Sequence, residues 1–152
     1  GLVGSEMCIR DRNATTGALV SDITLSTYTA NITIAASGTA FKESSIGIPS
    51  NFIPMGVAIT VTSATTNNVN LNDIGTDADT DGFVDGISAG LNSTGFKGFF
   101  PCNGVLGMSG GTTTAATETA DEVEMIISGA AGGSGGAVSL KFFGISSNSP
   151  TA

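Results

Sequence analysis

Ile53-Pro54-Met55-Gly56-Val57-Ala58-Ile59-Thr60-Val61-Thr62 decides the fold. From Val57 onward the residues alternate, with Val57, Ile59 and Val61 on one side and Ala58, Thr60 and Thr62 on the other. A period of two is the mark of a β-strand with one face on a core. Pro54 stands at the start of the run, where a missing backbone N–H is tolerated. Upstream, Ile23 to Tyr28 and Asn31 to Ala35 read as two further strands, followed by a turn at Ser37 to Thr39. Phe41 to Ile48 has no clear period and ends at Pro49-Ser50-Asn51.

Downstream, Thr65 to Asn68 reads as a hairpin turn into Val69-Asn70-Leu71. Phe83 to Ile87 and Gly95 to Phe100 are short apolar strands, and the Gly/Thr/Ala-rich Gly107 to Thr119 is a long surface loop. Glu122 to Ser128 and Ala137 to Phe143 read as an antiparallel hairpin across the glycine-rich Gly129 to Gly136, and Ser146 to Ala152 as a frayed tail. No stretch carries a 3.6-residue apolar period, and no internal repeat is visible. Eight or nine short strands punctuated by Gly, Asn and Ser predict an all-β protein. The architecture expected is an antiparallel β-sandwich, jelly-roll-like or immunoglobulin-like, with the strand order left open.

Composition narrows the chemistry. The chain has no histidine, which removes the commonest general base and a usual metal ligand. It has no Trp and one Tyr, so platforms for stacking bases or sugars are thin. Thirteen Asp and Glu against five Lys and Arg give a net charge of -8, which repels phosphate backbones and argues against a nucleic-acid partner. No apolar run reaches the roughly eighteen residues of a membrane span, so no membrane partner is expected.

Gly1 to Arg12 reads Gly-Leu-Val-Gly-Ser-Glu-Met-Cys-Ile-Arg-Asp-Arg. Leu2 to Asp11 resembles a translated sequencing adapter, whose transposase end ATGTGTATAAGAGACAG gives Met-Cys-Ile-Arg-Asp in one frame. Residues 1–12 are therefore expected to lie outside the fold, with residues 13–152 forming one β-sandwich domain. The natural N-terminus is then undefined, and an environmental read set is the expected source. Setting the segment aside leaves Cys102 as the one cysteine, with no disulfide and no redox pair. It removes Arg10, Arg12, Glu6 and Asp11 together, so the net charge does not change.

The acidic residues gather at Asp77, Asp79, Asp81 and Asp85, with Gly82 between the last two. Oxygen ligands at the first, third, fifth and ninth positions with glycine at the sixth form the front half of a Ca²⁺ loop. The twelfth position is Ser88, so the bidentate Glu that closes such a site is missing. The four aspartates are a candidate Ca²⁺ site, against the simpler reading of an exposed acidic turn whose Asp side chains cap backbone N–H groups.

Other constellations point to no reaction. Glu118, Asp121, Glu122 and Glu124 would supply a carboxylate pair for glycoside hydrolysis, yet no aromatic residue stands beside them to hold a sugar. Cys102 has no neighbouring cation to lower its pKa and reads as a small buried apolar residue. The glycine-rich segments lack the Lys-Ser/Thr of a phosphate loop. Asn13, Asn31 and Asn92 head Asn-x-Ser/Thr triplets of a kind that Thr-rich sequence produces by chance. No catalytic residue and no bound cofactor are expected, apart from the candidate Ca²⁺.

Ile53 to Val57, Ile59 to Ser63, Leu71 to Asp85, Lys97-Gly98 and the closing Ile126 to Gly129 and Val138 to Phe142 follow one pattern. In that order they resemble small virion structural proteins of tailed phages, of the kind found in marine viral assemblies. The resemblance implies a β-sandwich that decorates a capsid or belongs to a tail or fibre. It implies a homo-oligomer with other virion proteins as partners, located in the virion and assembled in the bacterial host cytoplasm. It brings no site residues with it. The rival expectations are a Ca²⁺-stabilised extracellular adhesion or surface-layer module and, last, a carbohydrate-active enzyme.

Overall fold

The structure is a computed structural model that describes residues 23–43, 48–49, 52–106, 122–129 and 135–147. The adapter-like segment, the Gly107 to Thr119 loop and the tail beyond Ser147 fall outside the described residues. The strands are β1 (Ile23–Ile34), β2 (Ala40–Lys42), β3 (Phe52–Ser63), β4 (Asn70–Gly75), β5 (Ala89–Gly90), β6 (Gly95–Pro101), β7 (Glu124–Ser128) and β8 (Gly136–Ser147).

They form two four-stranded antiparallel sheets, ordered β1-β8-β3-β6 and β2-β7-β4-β5. The order follows from one idea. Pairing β1 with β8, β2 with β7, β3 with β6 and β4 with β5 makes a single long ribbon folded at the β4–β5 turn. Rolling that ribbon adds two new ladders, β8 on β3 and β7 on β4. This is the eight-stranded jelly roll, a double sheet that covers most of its own edges. The sandwich expected from the alternation is therefore present, in its jelly-roll form rather than its immunoglobulin form.

The core lies between the sheets. Val57, Ile59 and Val61 of β3 and Val138, Leu140 and Phe142 of β8 face Leu71 and Ile74 of β4 and Met125 and Ile127 of β7, all buried. Phe83 meets Phe142 edge-on, with ring centroids 5.5 Å apart and planes at 68°. Such aromatic pairs add about 0.5–1.5 kcal/mol beyond the area they bury.

Several local expectations change. Ile23 to Ile34 is one twelve-residue strand rather than part of two. Tyr28, Ala30, Ile32 and Ile34 keep one parity, and the small Ala30 only looks like a break. The Thr65 to Asn68 turn is not a hairpin, because β3 and β4 lie in different sheets. The Thr65 amide already donates to the Leu91 carbonyl, beside β5 of the other sheet. The same holds for β7 and β8, which also lie in different sheets. Turn residues mark where a chain reverses, not which sheet receives it. Phe83 to Ile87 is not a strand either. Val84 makes one bridge to Ile74, and Phe83 and Val84 serve as buried plugs.

One buried carboxylate ties the sheets at a corner. Glu43, 3% exposed, bridges to Ile32 of β1 and donates its amide to the Val123 carbonyl. Its carboxylate accepts from the Tyr28 hydroxyl at 2.9 and 2.8 Å and from the Val123 amide at 3.1 Å. Burial pushes the Glu43 carboxyl up, against the pull of the Tyr28 and Val123 donors, with the Glu122 charge adding to the rise. Burial and the carboxylate partner likewise push the Tyr28 phenol up.

A raised folded pKa means that the proton is held more tightly in the fold. The stability it gives is complete below the unfolded glutamate value of about 4.3 and is lost as pH rises through the folded pKa. We expect Glu43→Gln to remove that fall, since Gln still accepts from Val123 and can donate to Tyr28. Glu43→Ala should cost about 1–3 kcal/mol by removing the acceptor of the buried Val123 amide and of the Tyr28 hydroxyl. Urea denaturation of the wild type and both variants across pH 4 to 8 checks both. A wild-type slope unchanged in Glu43→Gln would contradict this assignment.

Candidate functional site

The feature that stands out is the outer face of the β1-β8-β3-β6 sheet. Residues directly opposite in an antiparallel pair share a face, so the register reads the surface row by row. Leu25, Ile145 and Ile53 form one row. Thr27, Phe143, Gly56 and Pro101 form the next. Thr29, Lys141, Ala58 and Phe99 form the third, and Asn31, Ser139, Thr60 and Phe96 the fourth. Leu25 is 81% exposed, Phe96 66% and Phe99 56%. Met55 and Phe143 are exposed as well.

Two register slips build this face. In β3 the ladder to β8 steps from Pro54–Gly144 to Gly56–Phe143, leaving Met55 as an extra residue. The slip turns Phe52 into the core and Ile53 away from it, and it puts Gly56 on the outside. The Cys102 amide holds the Met55 carbonyl at 2.9 Å. In β6 the pairing steps from Ile59–Gly98 to Thr60–Phe96, with Lys97 left over. Phe96 and Phe99, three apart and so opposite in parity, both end up outside. Gly98 takes φ 141° there, a conformation that side-chain-bearing residues avoid.

Phe99 lies across Gly56, where an added Cβ would come within 2.2 Å of the ring tip. Phe99 also meets Phe143 edge-on, with centroids 5.7 Å apart and planes at 70°. The Lys141 ammonium sits 5.6 Å from the Phe143 ring centre. The rings thus support one another on an open surface, which keeps an apolar patch ordered without burying it.

The acidic turn is a different place. Thr76 and Asp79 exchange backbone hydrogen bonds at 2.8 and 3.2 Å, and the Gly82 amide donates to the Asp79 carbonyl at 3.1 Å. Asp77 is held by the Lys42 ammonium, which also reaches Glu124 at 3.9 Å. Its hydrogen bond to Lys42 holds the Asp77 carboxyl below its usual range, while burial and the Asp77 carboxylate push Glu124 up. Asp81 and Asp85 are exposed, and the Asp85 backbone pairs with the Asn103 side-chain amide at 2.9 and 3.1 Å. Among the described residues no three acidic side chains converge where one ion could touch them all. Lys42, which holds the first of the four aspartates, gave no hint of this in the sequence.

The buried Thr76 hydroxyl has no partner among the described residues. Cys102 is buried and free, and burial pushes its thiol up to about 12, as the sequence reading of an inert apolar cysteine requires. Glu118 and Asp121 fall outside the described residues. Asn31 and Asn92 are exposed.

Two measurements follow. Ca²⁺ added at about 1 mM to chelator-treated protein is expected to leave Tm unmoved, because bound ligand raises stability only where the fold offers a site. A rise of several degrees would support the Ca²⁺ reading of the four aspartates. A thiol reagent is expected to label Cys102 no faster than the protein unfolds, since the thiol is both buried and protonated. Labelling in the folded state at the rate of a free thiol would contradict the burial.

No protein-family model matches the chain, and no curated protein matches it. Among solved structures, a chain of the cyanophage Pam1 capsid asymmetric unit is similar over 95% of this chain and 99% of that one, at 13% identity and a TM-score of 0.42.

Proposed function

We propose that the protein is a non-enzymatic structural subunit of a phage virion, a capsid-decoration, tail or fibre component that works by self-association. The observation that carries this reading is the ordered apolar face of the β1-β8-β3-β6 sheet. Isolated surface hydrophobes need no explanation, but Phe99 packed edge-on against Phe143 on a face that also exposes Leu25 and Phe96 marks a contact surface. Two further points support it. The sequence pattern over Ile53 to Asp85 and the closing strands resembles small phage virion proteins. The double-sheet jelly roll is also an architecture used by viral capsid domains, an analogy of fold and not of function. In this reading the partners are further copies and other virion proteins, assembled in the host cytoplasm into the virion.

The magnitudes are adequate. Phe99 is 56% and Phe143 38% exposed, so covering the two contributes about as much as burying one fully exposed Phe, about 1.5–3 kcal/mol, and losing both weakens association by roughly one to two decades in Kd. We expect sedimentation to show oligomers that grow with concentration. Phe99→Ser with Phe143→Ser should abolish them while Tm moves by no more than a few degrees, because both rings are exposed. A wild type that stays monomeric at about 1 mM would overturn the proposal.

A further inference from the structure

Charge is divided unevenly between the two sheets. β1, β3, β6 and β8 contain no Asp or Glu, and they carry Lys97 and Lys141. Every described acidic residue belongs to the other sheet or to the segments joined to it, from Glu43 through the Asp77 to Asp85 turn to Glu124. Two molecules of net charge -8 repel at long range, so docking of one on another needs a local exception.

The lysine-bearing face is one half of such an exception. Lys141 lies over Phe143, and Lys97 donates to the Ser93 hydroxyl at 2.7 Å. Neither meets a carboxylate among the described residues. Asp81 and Asp85 are the other half, since both are exposed and outside the described ion pairs. Asp77 cannot serve, because Lys42 already holds it.

We propose that the occupant of the apolar outer face is the acidic β4–β5 turn of a second copy, with its Asp81 and Asp85 set against Lys97 and Lys141. This rests on the self-association proposed above and names the two surfaces that meet. The apolar rings supply affinity, and the charges choose which surface docks.

Charge exchange tests it. The face variant Lys97→Glu with Lys141→Glu and the turn variant Asp81→Lys with Asp85→Lys should each be monomeric by sedimentation. An equimolar mixture should associate again, because each variant's altered surface then meets its opposite. Near-native Tm and far-UV circular dichroism of each variant show that loss of association is not loss of fold. The inference falls if the wild type assembles but the mixture does not, or if the turn variant associates like the wild type. A wild type that never associates removes the underlying reading and this inference with it.

Discussion

The β3–β8 ladder is the constraint on which the rest depends. Without it, and its counterpart β4–β7, the chain is one long ribbon with an apolar face and nothing to cover that face. With it, the ribbon closes on itself and Phe142 reaches Phe83 across the interior. The ladder joins residues about eighty positions apart, such as Val57 and Phe142. Non-local pairing of this kind is closed late and slowly, because loop entropy must be overcome before contacts reward it. Both strands are free of acidic residues along their length, so no carboxylate has to be desolvated to form it.

Sequence periodicity showed much of this and stopped at definable points. β3 was readable because Val57, Ile59 and Val61 alternate without interruption. β7 was equally plain, and β6 was read to within a residue. The sheet each strand joins was not readable, since a turn such as Thr65 to Asn68 fixes reversal but not destination. The phase slips at Met55 and Lys97 were hidden for a related reason. A bulge costs little in sequence, and only the partner strand reveals it. A glycine beside each slip, Gly56 and Gly98, was the one available signal.

The aspartate spacing shows what a sequence motif leaves open. Asp77, Asp79, Asp81 and Asp85 match half of a Ca²⁺ loop in sequence, yet spacing says nothing about what lies across the fold. Lys42 arrives from β2 and holds Asp77. Glu43, its neighbour, was passed over although it is the most deeply buried acid described. Its partner Tyr28 is the only tyrosine of the chain, and the pairing spans fifteen residues with no motif to announce it.

The two sheets thus divide the physical labour. One has the acids, and there Lys42 clamps Asp77 and reaches Glu124 while Glu43 is held in a corner. The other has been cleared of negative charge and given outward rings by two bulges. The β3 bulge brings Phe52 into the core, and the two bulges together set the outer face, with Phe99 over Gly56 and Phe96 exposed on the same face. A subunit that worked alone would gain nothing from such a face and would risk aggregation by it. In the reading proposed above another subunit covers the rings, and the face itself brings no carboxylate to be desolvated in that contact.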